Sequence, residues 1–168
     1  DYSGLLPSMP LAVVRPADTA GVSAAMRICH THNVAVVPQG GLTGLCGGGR
    51  AAPDQIALSL ERMVGVEEID AASATMTVRA GTPLEVVQQA ADAAGLFCPL
   101  DLGARGSCAI GGNLSTNAGG TCWLGGGIVS LSAMPTRISP PLALANATTS
   151  LASSRQSAVL PVRASRDF

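Results

Sequence analysis

Between Pro38 and Gly49 the chain reads Pro-Gln-Gly-Gly-Leu-Thr-Gly-Leu-Cys-Gly-Gly-Gly, half of it glycine. Glycine loses more chain entropy than any other residue when fixed in a helix or strand. The segment therefore reads as a loop, and its neighbours decide what kind of loop. Upstream, Leu11 to Val14 is a short apolar run closed by Arg15-Pro16, and reads as a strand. Asp18 follows as a helix cap. Val22, Ala25, Met26 and Cys29 then recur at the three-and-four spacing of one buried helical face, to about Thr31. Val34 to Val37 is a second strand, apolar throughout and so expected to be buried on both sides. The glycine loop thus leaves the end of a β-α-β unit.

The middle of the chain changes period. Ile56 to Leu60 reads as a strand, and Val66 to Ile69 with Thr75 to Ala80 as the arms of a strand pair. Thr75, Thr77 and Arg79 alternate with Met76, Val78 and Ala80, the pattern of a sheet with one wet face. Gly81 ends that strand. Thr82, Pro83 and Glu85 then predict a helix start with a threonine cap, a first-turn proline and a capping-box glutamate, running to Ala94 and stopping at Gly95. A second glycine-rich stretch spans Pro99 to Gly120, with a short helix expected over Ile110 to Ala118.

Composition closes several routes. Ten basic residues, all arginine, face eleven acidic ones, for a net charge of -1. That balance argues against nucleic acid as a partner. Without lysine there is neither a phosphate-loop lysine nor a Schiff-base nucleophile. No apolar run approaches the roughly 20 residues of a spanning helix, so no membrane span is expected. Five cysteines, with no C-x-x-C pair, suggest neither a metal knuckle nor a disulfide framework; they read as small apolar fillers in a reducing compartment, the cytoplasm, or the mitochondrial matrix in a eukaryote. The N-terminus, Asp1-Tyr2-Ser3-Gly4, lacks an initiator methionine and a signal-peptide core, which suggests numbering that begins inside a longer protein or after processing.

Glycine-rich turns at a strand end can aim successive backbone N–H groups into one concavity, where an anion approaches without meeting a Cβ. Such a nest suits a pyrophosphate and needs no lysine. Thr43 adds a hydroxyl. In the second stretch Ser107, Asn113, Ser115, Thr116 and Asn117 are neutral donors and acceptors suited to ribityl hydroxyls and a ring edge, and the N-terminus of the short helix could also face phosphate. One such loop alone is usually only a turn; two together make a ligand site plausible. The dinucleotide spacing G-x-G-x-x-G is absent, since the first loop runs Gly41-x-x-Gly44-x-x-Gly47.

The segment Val36 to Leu45 resembles the pyrophosphate loop of FAD-binding domains of the vanillyl-alcohol-oxidase, or PCMH, type. Two further stretches resemble the same family in the same order: Ala57 to Met63 with Glu68-Ile69-Asp70 after it, and Pro99 to Gly120. The subgroup is similar to the flavin-binding component of glycolate oxidase, to D-lactate dehydrogenase and to D-2-hydroxyglutarate dehydrogenase. The likeness covers about Leu11 to Thr121. It implies an α+β fold, with a small parallel β-α-β subdomain and a mixed or antiparallel sheet subdomain, incomplete at the C-terminus, and FAD between them. By that resemblance Pro38, Gln39, Gly40, Gly41, Leu42, Thr43, Gly44 and Leu45 hold the pyrophosphate, with Gly40, Gly41, Thr43 and Gly44 central. Leu100, Asp101, Gly103, Gly106 and Ser107 run along the flavin and its phosphates. Gly111, Gly112, Asn113, Ser115, Thr116, Asn117 and Gly119 complete the ribityl and ring side. Leu42 departs from the family, whose members usually carry a polar residue there, often asparagine. Relatives that bond flavin covalently use a histidine in the first loop; none is present here, so non-covalent FAD is expected. His30 and His32, at a helix end, favour the helix dipole rather than catalysis.

After Thr121 the family pattern stops. Residues 122–168 show no clear period and one acidic residue, Asp167. The expected division is therefore a partial FAD-binding domain at 1–121 and a divergent tail at 122–168, from a truncation with an altered reading frame or a genuine divergent end. The acidic and histidine residues that relatives direct at substrate have no counterpart, so no catalytic residue and no metal ligand is named. Three readings stay open: a component of a flavoenzyme oxidising a 2-hydroxy acid, a non-catalytic FAD-binding remnant, and an interaction domain that packs on a partner chain or a second copy.

Overall fold

In a computed structural model, residues 1–121 are described, and beyond them the strands Ile128–Ser130, Arg137–Ile138, Ser157–Pro161 and Arg163–Ala164. The first unit is a three-stranded parallel sheet with one helix. Its strands are β1 (Ala12–Val14), β2 (Val36–Gln39) and β3 (Ile56–Ser59), in the order β1-β3-β2. Ala12 and Val36 both register on Ile56, from opposite sides. Helix α1 (Thr19–Thr31) starts where Asp18, in extended conformation, accepts the Gly21 N–H on its carboxylate at 2.7 Å. Val22 and Cys29 are buried on it. Val22 packs with Leu58 and Met63, flanked by Val14, Ala25, Met26, Val36 and Leu60. Each such buried aliphatic side chain contributes about 1.5–3 kcal/mol.

One expectation shifts here. The second strand is Val36–Gln39, not Val34 to Val37, and its valines are half-buried rather than enclosed. Asn33 turns left-handed (φ 53°) and the Val34 N–H still donates to Cys29 O, so the chain is finishing the helix until Ala35. The strand then lies at the sheet edge, which leaves one side open to solvent.

The second unit holds the larger core. Strands β4 (Val66–Asp70) and β5 (Thr75–Arg79) pair antiparallel, with a bulge between Val66 and Glu68. Met76 and Val78 face inward and Thr75, Thr77 and Arg79 are half-buried, as the alternation predicts. Helix α2 (Leu84–Ala93) lays Leu84, Val87 and Ala91 on them. Strand β6 (Leu96–Phe97) and helix α3 (Ile110–Ser115) close the core through Leu96 and Ile110, with Leu100 added from the segment between them.

The start of α2 corrects the expected capping. Pro83 is the N-cap and no side chain caps the helix. Thr82 is fully buried, and its hydroxyl instead donates to Arg79 O at 2.6 Å and accepts the Gly65 N–H at 3.0 Å. It ties the turn after β5 to the start of β4. A buried hydroxyl beside a backbone N–H that has no other acceptor among the described residues takes that partner first. Glu85 is exposed.

Strand β7 (Gly119–Thr121) pairs with β8 (Ile128–Ser130). Beyond it, β9 (Arg137–Ile138) and β10 (Ser157–Pro161) extend the sheet of β4 and β5 in the order β4-β5-β10-β9, while β11 (Arg163–Ala164) pairs with β6. The stretch without a legible period thus contributes strands. Short strands that pair with β5 from far along the chain need no period of their own. The expected combination of a parallel β-α-β unit and an antiparallel sheet unit is the fold observed.

Candidate functional site

The two glycine-rich loops meet. A Cβ on Gly41 would collide with the Ser107 carbonyl oxygen and stand 2.7 Å from its carbon and 2.8 Å from Cys108 Cα. One on Gly40 would stand 3.2 Å from the Ala109 Cβ and 3.8 Å from the Gly112 N. Glycine is required at 41 because the loops' backbones touch there. The first loop leaves the C-terminal end of β2, the end of a parallel sheet where ligands gather.

The first loop has spare donors. Among the described residues, the N–H groups of Gly41, Leu42, Thr43, Gly44 and Leu45 donate to no acceptor. Gln39 Nε2 reaches across the base of the loop to Gly49 O at 2.7 Å and holds it closed. Around a Cβ built on Gly44 or Gly112 there is open space. Residues 38–49 carry no acidic side chain. Unspent amides, open space at two glycines and no opposing carboxylate fit a diphosphate. Leu42 takes left-handed backbone (φ 52°) and leaves its side chain partly exposed. That conformation suits asparagine far better than leucine, which accounts physically for the polar residue expected at this position. Pro38 and Leu45 are exposed.

In the second loop the residues divide. The Leu100 side chain is fully buried in the core, and its carbonyl accepts Gln88 Nε2 at 2.8 Å; a side-chain role at the ligand does not fit that position. Asp101 pairs with Arg105 at 3.3 Å, both part-exposed, so Arg105 is not a free cation. The Asp101 carbonyl lies against Gly120. Gly103, Gly106 and Ser107 are exposed, with the Ser107 hydroxyl donating to Ala104 O at 3.3 Å. Ser115 and Thr116 give their hydroxyl protons to Gly111 O and Gly112 O at 2.8 and 2.9 Å, leaving oxygen lone pairs for an incoming donor. Asn117 is exposed in left-handed backbone (φ 51°), and Gly119 opens β7.

Two expectations change. Asn113 is buried, and its amide donates to the Cys108 Sγ at 3.3 Å instead of turning outward. The first amides of α3 are already spent, Ile110 on Thr82 O at 2.9 Å and Gly111 on Ala80 O at 2.8 Å. The helix start is therefore locked onto the turn before α2, and the backbone of Gly112 is the part of α3 that lies beside Gly40 of the first loop. Sequence reasoning also missed Cys108 and Ala109 as the floor beneath Gly40 and Gly41. Their small size was the available signal.

A separate groove of about 320 Å³ lies between α2, β6 and residues 99–105, lined by Gln88, Asp92, Phe97, Cys98, Pro99, Asp101 and Arg105. It shares Pro99, Asp101 and Arg105 with the second loop but none of the spare amides. Burial pushes the Cys98 thiol up from its ordinary value, so it stays protonated there. Among the described residues no group of three or more His, Cys, Asp or Glu is placed to hold a metal, and no helix is long and apolar enough to cross a membrane.

Comparison with known proteins shows which family the chain resembles. The chain is 50% identical over 111 residues to a D-2-hydroxyglutarate dehydrogenase of Xanthomonas citri pv. viticola, covering 66% of this chain and 24% of that protein. It is 48% identical over 108 residues to the mitochondrial D-2-hydroxyglutarate dehydrogenase of Danio rerio, 64% of this chain and 20% of that one. A putative mitochondrial D-lactate dehydrogenase of Schizosaccharomyces pombe is 41% identical over 107 residues, 64% of this chain and 20% of that protein. The chain thus spans a quarter or less of the length of these relatives. Among solved structures, alkyldihydroxyacetonephosphate synthase superposes with a TM-score of 0.73 over 93% of this chain and 32% of the other, at 18% identity, a likeness of fold. The sequence model of the FAD binding domain matches residues 10–130, which takes in both glycine loops. By that match the chain belongs to the FAD-binding domain family.

Proposed function

We propose that this chain is the FAD-holding part of a flavoenzyme that oxidises a small 2-hydroxy acid such as glycolate, D-lactate or D-2-hydroxyglutarate. The observation that carries the reading is the row of unspent amides from Gly41 to Leu45, seated on the second loop by the Gly41–Ser107 contact. Those amides hold the diphosphate; Gly112, Ser115, Thr116 and Asn117 border the ribityl side. Bound FAD supplies the acceptor for the hydride that leaves the α-carbon of the hydroxy acid. What the chain itself does is bind and orient. Attachment is non-covalent, because the first loop has no histidine and His30 and His32 lie at the far end of α1.

The names of the relatives support a hydroxy-acid substrate. Their greater length supports a division of labour in which the substrate side lies outside these residues, so that binding of FAD without turnover is the behaviour expected of the chain alone. The compartment is the cytoplasm or, following relatives named as mitochondrial, the matrix. Purified chain titrated with FAD tests the reading: saturable quenching of flavin fluorescence at one equivalent supports it, and no uptake by well-folded protein refutes it. Anaerobic addition of each hydroxy acid to the loaded chain then reads turnover as loss of the yellow absorbance.

A further inference from the structure

Residues 1–11 run beside the first glycine loop, and their contacts advance together along both segments. The Tyr2 N–H donates to Gly44 O at 3.0 Å. Leu5 Cδ1 lies against Gly47, where a Cβ would stand 2.7 Å from it and where the backbone is left-handed (φ 72°). Ser8 Oγ donates to Ala51 O at 2.7 Å, and the Leu11 N–H to Gln55 O at 2.9 Å. Burial does not hold this arm: Tyr2, Leu5, Leu6 and Met9 are 56–81% exposed. Hydrogen bonds to loop carbonyls do.

The tie at Gly44 has a geometric consequence. The peptide bonds of the described residues are all trans, and a trans peptide points its C=O and its N–H in opposite directions. Fixing the Gly44 carbonyl toward the arm therefore aims the Leu45 N–H away from it. That amide has no acceptor among the described residues, and the space beside Gly44 is open. We infer that residues 1–11 form a strap over the back of the loop, with Tyr2 as a positioning residue that acts through its main chain to present the Leu45 amide to the diphosphate of FAD. The inference rests on the FAD reading of the loops.

Tyr2→Pro removes the N–H, and deletion of residues 1–3 removes the tie by another route. Each is titrated with FAD by flavin fluorescence, alongside thermal melting of the flavin-free chain. The expected result is an FAD dissociation constant about tenfold higher, the scale of one hydrogen bond to a charged group, with the melting midpoint unchanged. Tyr2→Ala keeps the N–H and restores wild-type affinity. Equal affinity of Tyr2→Pro and wild type overturns the strap and leaves the loop reading standing. Weakening by Tyr2→Ala as large as that by Tyr2→Pro overturns it too, by assigning the effect to the ring. A wild-type chain that takes up no FAD overturns both.

Discussion

Gly41→Ala is the sharpest perturbation of the candidate site. The added methyl would collide with the Ser107 carbonyl oxygen and stand 2.7 Å from Ser107 C and 2.8 Å from Cys108 Cα, all backbone. Carbon atoms in contact prefer about 3.5–4.0 Å, so the two loops must part by roughly 1 Å. Neither side can yield by turning a side chain. Overpacking of this kind costs about 1–3 kcal/mol. In a chain of this size that lowers the melting midpoint by about 2–4 °C per kcal/mol. FAD affinity should fall in step, by about tenfold or more, a loss near 1.4 kcal/mol, because the amides lose their floor. Gly44→Ala is the control for stability: no atom lies within 4 Å of its Cβ and its φ is not left-handed, so the flavin-free fold should gain up to about 1 kcal/mol through the unfolded state. Circular-dichroism melts and flavin-fluorescence titrations read both. A Gly41→Ala protein with wild-type melting and wild-type FAD affinity would refute the close approach of the loops, and with it the site.

Other outcomes follow from single residues. Leu42→Asn should raise stability by about 0.5–1 kcal/mol, since asparagine tolerates the left-handed backbone that leucine resists; an unchanged melt counts against the strain. Thr82→Val keeps the shape but leaves the Gly65 N–H without its acceptor, while the Arg79 carbonyl keeps the residue-82 N–H; a loss of about 1–3 kcal/mol is expected in urea unfolding, largely recovered in Thr82→Ser. A disulfide-exchange reagent at pH 8 should modify exposed Cys46 in the folded chain well before buried Cys29, Cys98 and Cys108. Because burial raises the Cys98 thiol, its contribution to stability is complete below the unfolded value of about 8.5 and is lost as pH rises toward the folded one; Cys98→Ala should flatten that alkaline slope in chemical unfolding at pH 8 to 10.

What could be read in advance was what is local. The Asp18 cap, the buried face of α1 and the inward Met76 and Val78 each follow from spacing over a few residues, and each is present. The glycine loops were visible for the same reason, and their placement at a strand end follows from the apolar runs before them. Nonlocal competition was invisible. Thr82 looks like a helix cap until Gly65 and Arg79 arrive to claim its hydroxyl. Asn113 looks like a ligand donor until the fold buries it against Cys108. Leu100 sits among loop residues in sequence and in the core in space. The strands after Thr121 are short and gain their partners from β5, β6 and β7, so no run of alternating residues announces them.

The strand order β1-β3-β2 gives the first glycine loop a second duty. Strand β3 runs in the same direction as β2 and sits beside it, so residues 40–55 must carry the chain back along the whole length of the sheet before β3 can begin. Return journeys between parallel neighbours take about a dozen residues or more and are usually made by a helix. Here the return is made by the cradle itself. Shortening it to tighten a ligand would pull the central strand out of register, so the length of this segment is set by topology while its composition is left free to serve chemistry.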